Sequence, residues 1–312
     1  MTSNNLWQVL ASRLLQGLLV VFLVVTAVFF VSRVTRDPIA YLADIQSSEA
    51  EIDALRERFG LNDPLYVQYG NFLWDTVQLD MGRSLRNGRP ALNEVTSRVV
   101  KTLQLGAGSL LFALVLGLLT GVIASLRRGR PTDWLARLLA VIGQAVPDFW
   151  LGLMLVFLFA VELGWLPTGG SGSLKHMLMP MITMGTFTAA ALMRLTRSGM
   201  IDSLGSDFVR TARAKGLPER AVVYRHALRH ALLPVVTILG LQAGRLMAGA
   251  LVVETVFAWP GIGRLTIDSI GGGDFPVTQT AIMLIAVSIV LANIVVDMSY
   301  RLIDPRIRAG AA

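Results

Sequence analysis

The sequence predicts an all-α polytopic membrane protein with six transmembrane helices and with both termini in the cytoplasm. Of its 312 residues, 54% are hydrophobic and only 16% are charged, and the mean hydropathy is +0.59. Two patterns support this fold class: apolar windows long enough to cross a bilayer, and basic residues concentrated in alternate connecting segments. Because the chain has no cysteine, disulfides and thiolate metal sites are excluded.

Six windows of about 20 predominantly apolar residues are long enough to cross the hydrocarbon core. The third window contains one acid, Asp148, and the fifth contains one base, Arg245, whereas the other four carry no Asp, Glu, Lys or Arg. The first window lacks a small-residue cleavage site, so we expect a retained helix rather than a signal peptide. The windows are 14–32, 102–126, 138–161, 176–193, 231–253 and 275–296.

The basic residues orient these windows. With a cytoplasmic N-terminus, the inner segments (127–137, 194–230 and 298–312) hold fifteen basic and five acidic residues. The outer segments (33–98, 162–175 and 257–274) hold ten basic and thirteen acidic residues. Basic residues favour the cytoplasmic side, so this orientation satisfies the positive-inside rule. The net charge of +7 therefore marks cytoplasmic loops rather than a nucleic-acid partner.

The chain divides into two predicted domains. Residues 1–98 comprise the first span and an ordered extracytoplasmic subdomain at about 33–98, where SSEAEIDALRERFG has a serine cap, early acids and a glycine stop. Residues 99–312 form a core of five spans, with the cytoplasmic loop 194–230 between the fourth and fifth.

The cytoplasmic loop contains the strongly basic stretch FVRTARAKGLPERAVVYRHALRHALLP. Ser206 or Asp207 can cap a short helix, and Gly216 can end it in the left-handed conformation at little cost. Pro218 at the first position of a second helix completes a helix, glycine turn and helix. Phe208, Thr211, Ala212 and Lys215 share one face of the first helix. The stretch is either a solvated loop that orients the protein or a knob that docks in a groove on a cytoplasmic partner.

DFVRTARAKGLPERAVVYRHALRHALLPVVT resembles the cytoplasmic signature loop of permease subunits of ATP-binding cassette importers, in the dipeptide, oligopeptide and nickel branch. Other segments resemble the same subunit type in order, and the likeness is closest to the subunit with a large loop after its first helix. These segments are RLLQGLLVVFLVVTAVFF, FGLNDPLYVQYGNFL, MGRSL, VPDFWLGLMLVFLFA, VVETVFAWPGIGRL and VDMSYRLIDPRIR. Two departures are Arg210-Thr211-Ala212, where the superfamily pattern has Glu-Ala-Ala, and Val100, where the family tends to have proline.

The resemblance implies the MetI-like permease fold of a type I importer in a bacterial or archaeal cytoplasmic membrane. The implied partners are a second homologous permease subunit, two cytoplasmic ATPase subunits that bind ATP and Mg, and an extracytoplasmic substrate-binding protein. The cargo would be a dipeptide, oligopeptide, glutathione or nickel complex. The chain itself would be non-catalytic and bind no cofactor. The residues that the resemblance assigns to ATPase coupling are Ser206, Asp207, Phe208, Val209, Arg210, Ala212, Arg213, Lys215, Gly216 and Leu217.

Enzymatic alternatives lack their motifs. No lysine follows a glycine, so a GxxxxGK[ST] phosphate-binding loop is absent from the sequence. His226 and His230 stand at i and i+4, but no glutamate of an HExxH motif lies between them and no third ligand is evident. The run GGSGS at 169–173 lacks the GxSxG spacing of a serine nucleophile.

An ion-coupled secondary transporter is the alternative function, because such carriers place ionisable groups near the bilayer midplane. Asp148 and Arg245 differ in predicted depth by only about 5 Å at a rise of roughly 1.5 Å per residue. An unpaired charge at that depth is expensive, so we expect the two side chains to pair or lie close. The pair would either fix the register of the helices or line the substrate path.

At the outer end of the fifth window, Trp259-Pro260-Gly261 predicts a rigid turn with a tryptophan suited to the membrane interface. The resemblance places this turn, together with Glu254, near the outer gate and the binding protein. An interfacial anchor is the other interpretation of the tryptophan.

Overall fold

The computed structural model describes residues 4–35, the single positions 50, 53, 56 and 57, and residues 62–303. Within these ranges the regular elements are helices, and an isolated bridge pairs Arg83 with Pro90. Most of the predicted outer helix SSEAEIDALRERFG lies outside the described residues. The chain is therefore all-α in the part that the structure describes, as the sequence predicts.

Eleven α-helices and two π-helical segments follow one another along the described chain. The N-terminal half contains α1 Asn4–Thr35, α2 Leu65–Val77, α3 Ala91–Leu126, α4 Pro131–Ala145 and α5 Asp148–Leu155, which continues as a π-helix over Val156–Glu162. The C-terminal half contains α6 Leu174–Leu204, α7 Asp207–Ala214, α8 Glu219–Ala221, a π-helix over Val222–Ala227, α9 Leu228–Val256, α10 Ile262–Gly271 and α11 Phe275–Ile303.

Four of the described helices are long and apolar enough to cross a membrane, and a fifth crossing is added if α4 and α5 count as one broken span. The four segments are Leu10–Arg33, Ala91–Leu126, Leu174–Leu204 and Phe275–Val295. The predicted fifth window falls within the 29-residue helix α9, but many of its side chains lie outside the described residues. The count of six spans and the cytoplasmic position of both termini therefore stay predictions.

The third window, 138–161, is not one straight helix. Helix α4 ends at Ala145, and α5 restarts at Asp148 at an angle of 107°. Pro147 explains the break, since a residue before proline favours the extended conformation and Val146 has φ −78° and ψ 126°. A proline within a span is expected to kink a helix, and here the break is sharp enough to end α4 and begin a new helix.

One compact unit is formed by the described residues of Met1–Thr102 and Pro260–Ile294. Helix α1 packs on α2 through Phe29, whose ring centroid lies 5.1 Å from that of Phe72 and 5.3 Å from that of Tyr69. The Tyr69 hydroxyl also lies 2.7 Å from the hydroxyl of Thr26. The buried core of this unit contains Val25, Met81, Ala91, Val95, Ile262, Val277, Ala281 and Met283.

The second compact unit is formed by the described residues of Leu103–Trp259 and Val295–Ala312, with α6 packed against α4, α5 and α9. Helix α3 crosses α6 closely because glycines stand at the crossing. A Cβ atom on Gly121 would lie 2.8 Å from the carbonyl oxygen of Met193, and one on Gly185 would lie 2.8 Å from that of Ser109. Small residues of this kind let two membrane helices approach at backbone distance.

We expect Gly121→Ala to destabilise the protein by about 1–3 kcal/mol, because its methyl group would overlap the backbone of α6. The measurement is the thermal unfolding of the detergent-purified protein. Gly106→Ala is the matched control, since it adds the same methyl group to α3 at a place where no described residue outside the local helix backbone has an atom within 4 Å. Equal stability of the two variants would contradict this packing.

Candidate functional site

The polar segment between α6 and α9 folds as the sequence predicts, with a short helix, a glycine turn and a second helix. Helix α7 begins after Ser206, which stands at the N-cap, and Asp207 provides an acid in its first turn. The Ser206 hydroxyl donates a hydrogen bond to the carbonyl of Ser203 rather than capping an amide of α7. This bond ties the start of α7 to the end of α6.

Gly216 ends α7 in the predicted left-handed conformation, with φ +76°. The N–H of Gly216 donates to the carbonyl of Arg213 at 2.9 Å, and the N–H of Leu217 donates to the carbonyl of Ala212 at 3.3 Å. This pair of bonds is a Schellman motif, which satisfies carbonyls at the end of a helix. Among the described residues other than its two chain neighbours, none has an atom within 4 Å of a Cβ built on Gly216, so the need for glycine comes from the backbone angle and not from crowding.

Arg213 and Glu219 close the glycine turn from outside. The Arg213 guanidinium donates two hydrogen bonds to the Glu219 carboxylate, at 2.6 and 3.1 Å. These hydrogen bonds lower the pKa of Glu219 and raise the pKa of Arg213. Both side chains are about half exposed, so the pair contributes to the geometry of the turn more than to stability.

The inner face of α7 is apolar and buried. Val209 is fully buried and Ala212 is 5% exposed. They pack in one cluster with residues of α3, α6, the π-helical segment and α9, namely Val122, Met200, Val222, Val223, Ala227 and Ala231. The face predicted from periodicity is therefore divided, because Ala212 is buried whereas Phe208, Thr211 and Lys215 are exposed.

The outer face of the segment carries two large apolar side chains with charge around them. Phe208 and Leu217 are each 39% exposed, and Lys215 is exposed beside them. Arg210 forms an exposed ion pair with Asp207 at 3.3 Å. We call Phe208, Arg210, Lys215, Gly216 and Leu217 the knob surface. Exposed apolar side chains within a polar rim are typical of a docking surface.

The second helix of the segment does not stop before α9. It begins at Glu219 and runs through the π-helical Val222–Ala227 directly into Leu228–Val256. Pro218 stands at the N-cap, one residue before the predicted first helical position. The knob surface is therefore joined to α6 by a short link and to α9 by continuous helix.

The structure also contains a buried ion pair that the sequence did not indicate. Asp133, whose side chain is 1% exposed, accepts two hydrogen bonds from the guanidinium of Arg197, at 2.6 and 2.9 Å. The Gly129 N–H donates to the same carboxylate at 2.9 Å, and Arg137 lies 3.5 Å away. The pair ties α4 to α6. No sequence signal joins two residues 64 positions apart, although an acid just after Pro131 marks the start of α4.

Asp148 is the first residue of α5 and is partly buried. A carboxylate at this place meets the positive end of the helix dipole, which offsets part of the cost of burying its charge. The side chain of Arg245 lies outside the described residues. Pairing of Asp148 with Arg245, and either role for the pair, stays a prediction.

The four residues predicted near the outer gate fall in different units. In the second unit Glu254 is fully buried and Trp259 is 3% exposed, and the Trp259 N–H donates to the Glu254 carbonyl at 2.8 Å. Trp259 packs in a buried cluster with Phe257 and Val253 among others, which argues against an interfacial anchor. In the first unit Pro260 precedes Gly261, which stands at the N-cap of α10. A gating role for any of them stays a prediction.

Comparison with known proteins gives the family of the chain. The family described as "Binding-protein-dependent transport system inner membrane component" matches residues 113–309. The glutathione transport system permease protein GsiC of Escherichia coli strain K12 is 43% identical over 297 residues, which cover 95% of this chain and 97% of that protein. GsiC of Shigella boydii serotype 4 is 42% identical over 297 residues with the same coverage.

A solved structure shares the fold. A chain of the MetNI methionine ABC transporter, in an inward-facing conformation, superposes with a TM-score of 0.56 and 19% sequence identity. The match covers 67% of this chain and 96% of that chain. At this identity the likeness establishes the architecture alone, and it confirms the predicted MetI-like permease fold.

The fold and the matches together define a class, the transmembrane subunits of ATP-driven importers. Within that class the chain belongs to the binding-protein-dependent transport system inner membrane components, in the peptide and nickel branch. It is a multi-pass membrane protein of a family whose importers work with ATPase and binding-protein partners in general. These findings favour the importer over an ion-coupled secondary transporter.

Proposed function

We propose that this chain forms half of the translocation pathway for short peptides of the size and chemistry of glutathione, in a bacterial cytoplasmic membrane. The identity of 43% over 95% of the chain with glutathione permeases supports this cargo class. A second homologous permease subunit completes the pathway, and an extracytoplasmic binding protein delivers the peptide. Two cytoplasmic ATPase subunits bind ATP and Mg, while this chain is non-catalytic and binds no cofactor.

The knob surface is the proposed docking site for an ATPase subunit. The single observation that carries this assignment is the shape of the segment: Phe208 and Leu217 are each 39% exposed on a segment whose turn is fixed by Gly216 and whose inner face is apolar and buried. The Phe208 ring is held against that of His230, with centroids 4.5 Å apart. A rigid segment can transmit a displacement of the ATPase subunit to the transmembrane helices, whereas a flexible loop would deform instead. When ATP draws the two ATPase subunits together, the knob moves with them, and the continuous helix from Glu219 carries the movement into α9.

Reconstitution tests the energy source. We expect uptake of glutathione-class peptides into proteoliposomes to require ATP, both ATPase subunits and the binding protein. Removing any one of them should reduce uptake to background, because the chain itself contains no phosphate-binding loop. The control is an imposed proton or sodium gradient without ATP. Uptake driven by that gradient alone would overturn the importer assignment.

Thiol labelling tests the side of the membrane. The natural chain has no cysteine, so one introduced cysteine is the only labelling site. We expect Lys215→Cys to react with a membrane-impermeant maleimide only after the cells are permeabilised. The matched variant Asn87→Cys, on a predicted outer segment, should react in intact spheroplasts. The reverse pattern would place the knob surface outside and exclude ATPase docking.

A further inference from the structure

The first unit contains an exposed hairpin that carries three arginines and lies apart from the knob surface in the sequence. Residues 82–91 fold back on themselves, and the carbonyl of Gly82 accepts a hydrogen bond from the N–H of Ala91 at 2.9 Å. Ser84 and Arg89 are joined by a backbone bond of 2.8 Å. The hairpin precedes α3 and lies in the segment predicted to face the extracytoplasmic side.

The hairpin is fixed by a buried carboxylate. Asp274, 3% exposed, accepts a short hydrogen bond from the Ser84 hydroxyl and another from the Leu85 N–H at 3.2 Å. The Ser84 hydroxyl oxygen in turn accepts from the N–H groups of Arg86 and Asn87, at 3.2 and 3.3 Å. A fully satisfied buried network of this kind holds one conformation, because leaving any member unpaired is costly.

The turn itself is equally constrained. Gly82 and Gly88 adopt positive φ angles of 70° and 69°. The Asn87 side chain accepts a hydrogen bond from the Arg89 N–H at 3.0 Å, and the Arg83 guanidinium donates to the Gly88 carbonyl at 3.1 Å. The backbone of the hairpin is therefore held in one conformation, and the Arg83 guanidinium is held against the turn.

The three arginines of this hairpin are exposed. They are Arg83, Arg86 and Arg89, and none forms an ion pair with a residue that the structure describes. Other arginines of the same unit do pair: Arg98 lies 3.9 Å from Glu94, and Arg264 lies 3.5 Å from Asp268. Arg86 also lies against Gly272, where a Cβ would come within 3.1 Å of its Cδ atom, so that arginine is supported by a second segment.

Positive charge of the predicted outer side is concentrated in this hairpin. Three of the ten basic residues of the predicted outer segments fall within 83–89. Three guanidinium groups on one rigid backbone turn suit carboxylates, which arginine binds through two parallel hydrogen bonds.

We propose that Arg83, Arg86 and Arg89 bind an acidic patch on the extracytoplasmic binding protein and so set its affinity for the permease. This inference rests on the proposed function and adds a contact surface to it. Anionic lipid is the other possible occupant. The flanking carboxylates Asp80 and Glu94 would repel a uniformly anionic lipid surface, while a patterned protein surface can avoid them.

The test uses the complete importer in nanodiscs, with ATP hydrolysis measured against the concentration of its binding protein. We expect the triple variant R83E/R86E/R89E to raise the concentration for half-maximal stimulation at least about tenfold, because like charges would then face each other. The maximal rate at saturation should be kept. Higher salt should weaken the wild-type response and partly restore that of the variant, because it screens the attraction in the first case and the repulsion in the second.

Lys175→Glu is the control for a single charge reversal, since it replaces one base by an acid at an exposed site on a different predicted outer segment; it should leave the response unchanged, whereas R86E alone should raise the half-maximal concentration. A triple variant with the wild-type response would overturn this inference alone. So would an effect that follows the anionic lipid content of the nanodisc and not the binding-protein concentration. A wild-type complex that ignores the binding protein would overturn the proposed function and this inference with it.

Discussion

Gly216→Val is expected to reduce ATP-driven uptake about tenfold to a hundredfold while the protein remains in the membrane. Gly216 has φ +76°, a conformation that costs a β-branched residue on the order of 1–3 kcal/mol or more. Relaxing this strain would break the two hydrogen bonds that end α7 and displace Leu217 from its present position. The docking site for the ATPase subunit would then be disrupted, so the amount of ATPase that co-purifies with the permease should fall together with uptake.

Two controls test whether the loss of uptake comes from the backbone angle at residue 216 or from a general loss of folding. Gly205→Val introduces the same side chain in the same segment, but Gly205 has φ −80° and its Cβ would meet only ordinary contacts at 3.6 Å. That variant should keep most of the uptake. Gly216→Asn should also be tolerated better than valine, because asparagine enters the left-handed region more readily. Full uptake by Gly216→Val would rule out the assigned role of the knob surface.

Arg197→Met is expected to cost about 3 kcal/mol of stability, the largest effect on folding that we anticipate. It leaves Asp133 as a buried carboxylate without its main partner, and removing one member of a buried pair typically costs about 3–5 kcal/mol. Because the Gly129 N–H and Arg137 still contact the carboxylate, we expect the loss of stability to lie at the lower end of that range. Thermal unfolding of the purified protein measures the loss.

Arg194→Met is the matched control for this prediction, since it makes the same change one turn earlier on α6 at an exposed position. It should change stability by less than about 0.5 kcal/mol. The double variant Asp133→Leu with Arg197→Met should recover most of the stability, because replacing both members of a buried pair by apolar groups is often close to neutral. If Arg197→Met is as stable as Arg194→Met, the ion pair does not hold α4 to α6.

Local rules explain most of what the sequence predicted correctly. Gly216 could be assigned because only the backbone angle of a helix end requires glycine there. The break at Pro147 follows from the geometry of proline, but the window 138–161 was predicted as one span. The apolar windows follow from bilayer thickness alone. Each of these inferences uses residues within one or two turns of each other.

Long-range contacts account for the rest. Asp133 pairs with Arg197, which is 64 positions away, and Ser84 pairs with Asp274, which is 190 positions away. In the sequence, all four look like ordinary polar residues near the ends of helices. The buried side of α7 was assigned incompletely for the same reason, because the partners of Val209 are supplied by other helices. Periodicity identifies a face, but only the neighbouring elements decide whether that face is covered.

The break between α4 and α5 restricts what can surround it. The first-turn amides of α5 have no side-chain cap, and a hydrocarbon phase offers no hydrogen-bond acceptor to replace one. Acceptors for these amides therefore have to come from water, from another polypeptide or from side chains of this chain outside the described residues. We expect the companion subunit or the solute on that side, where Phe149 and Trp150 are about half exposed in the isolated chain.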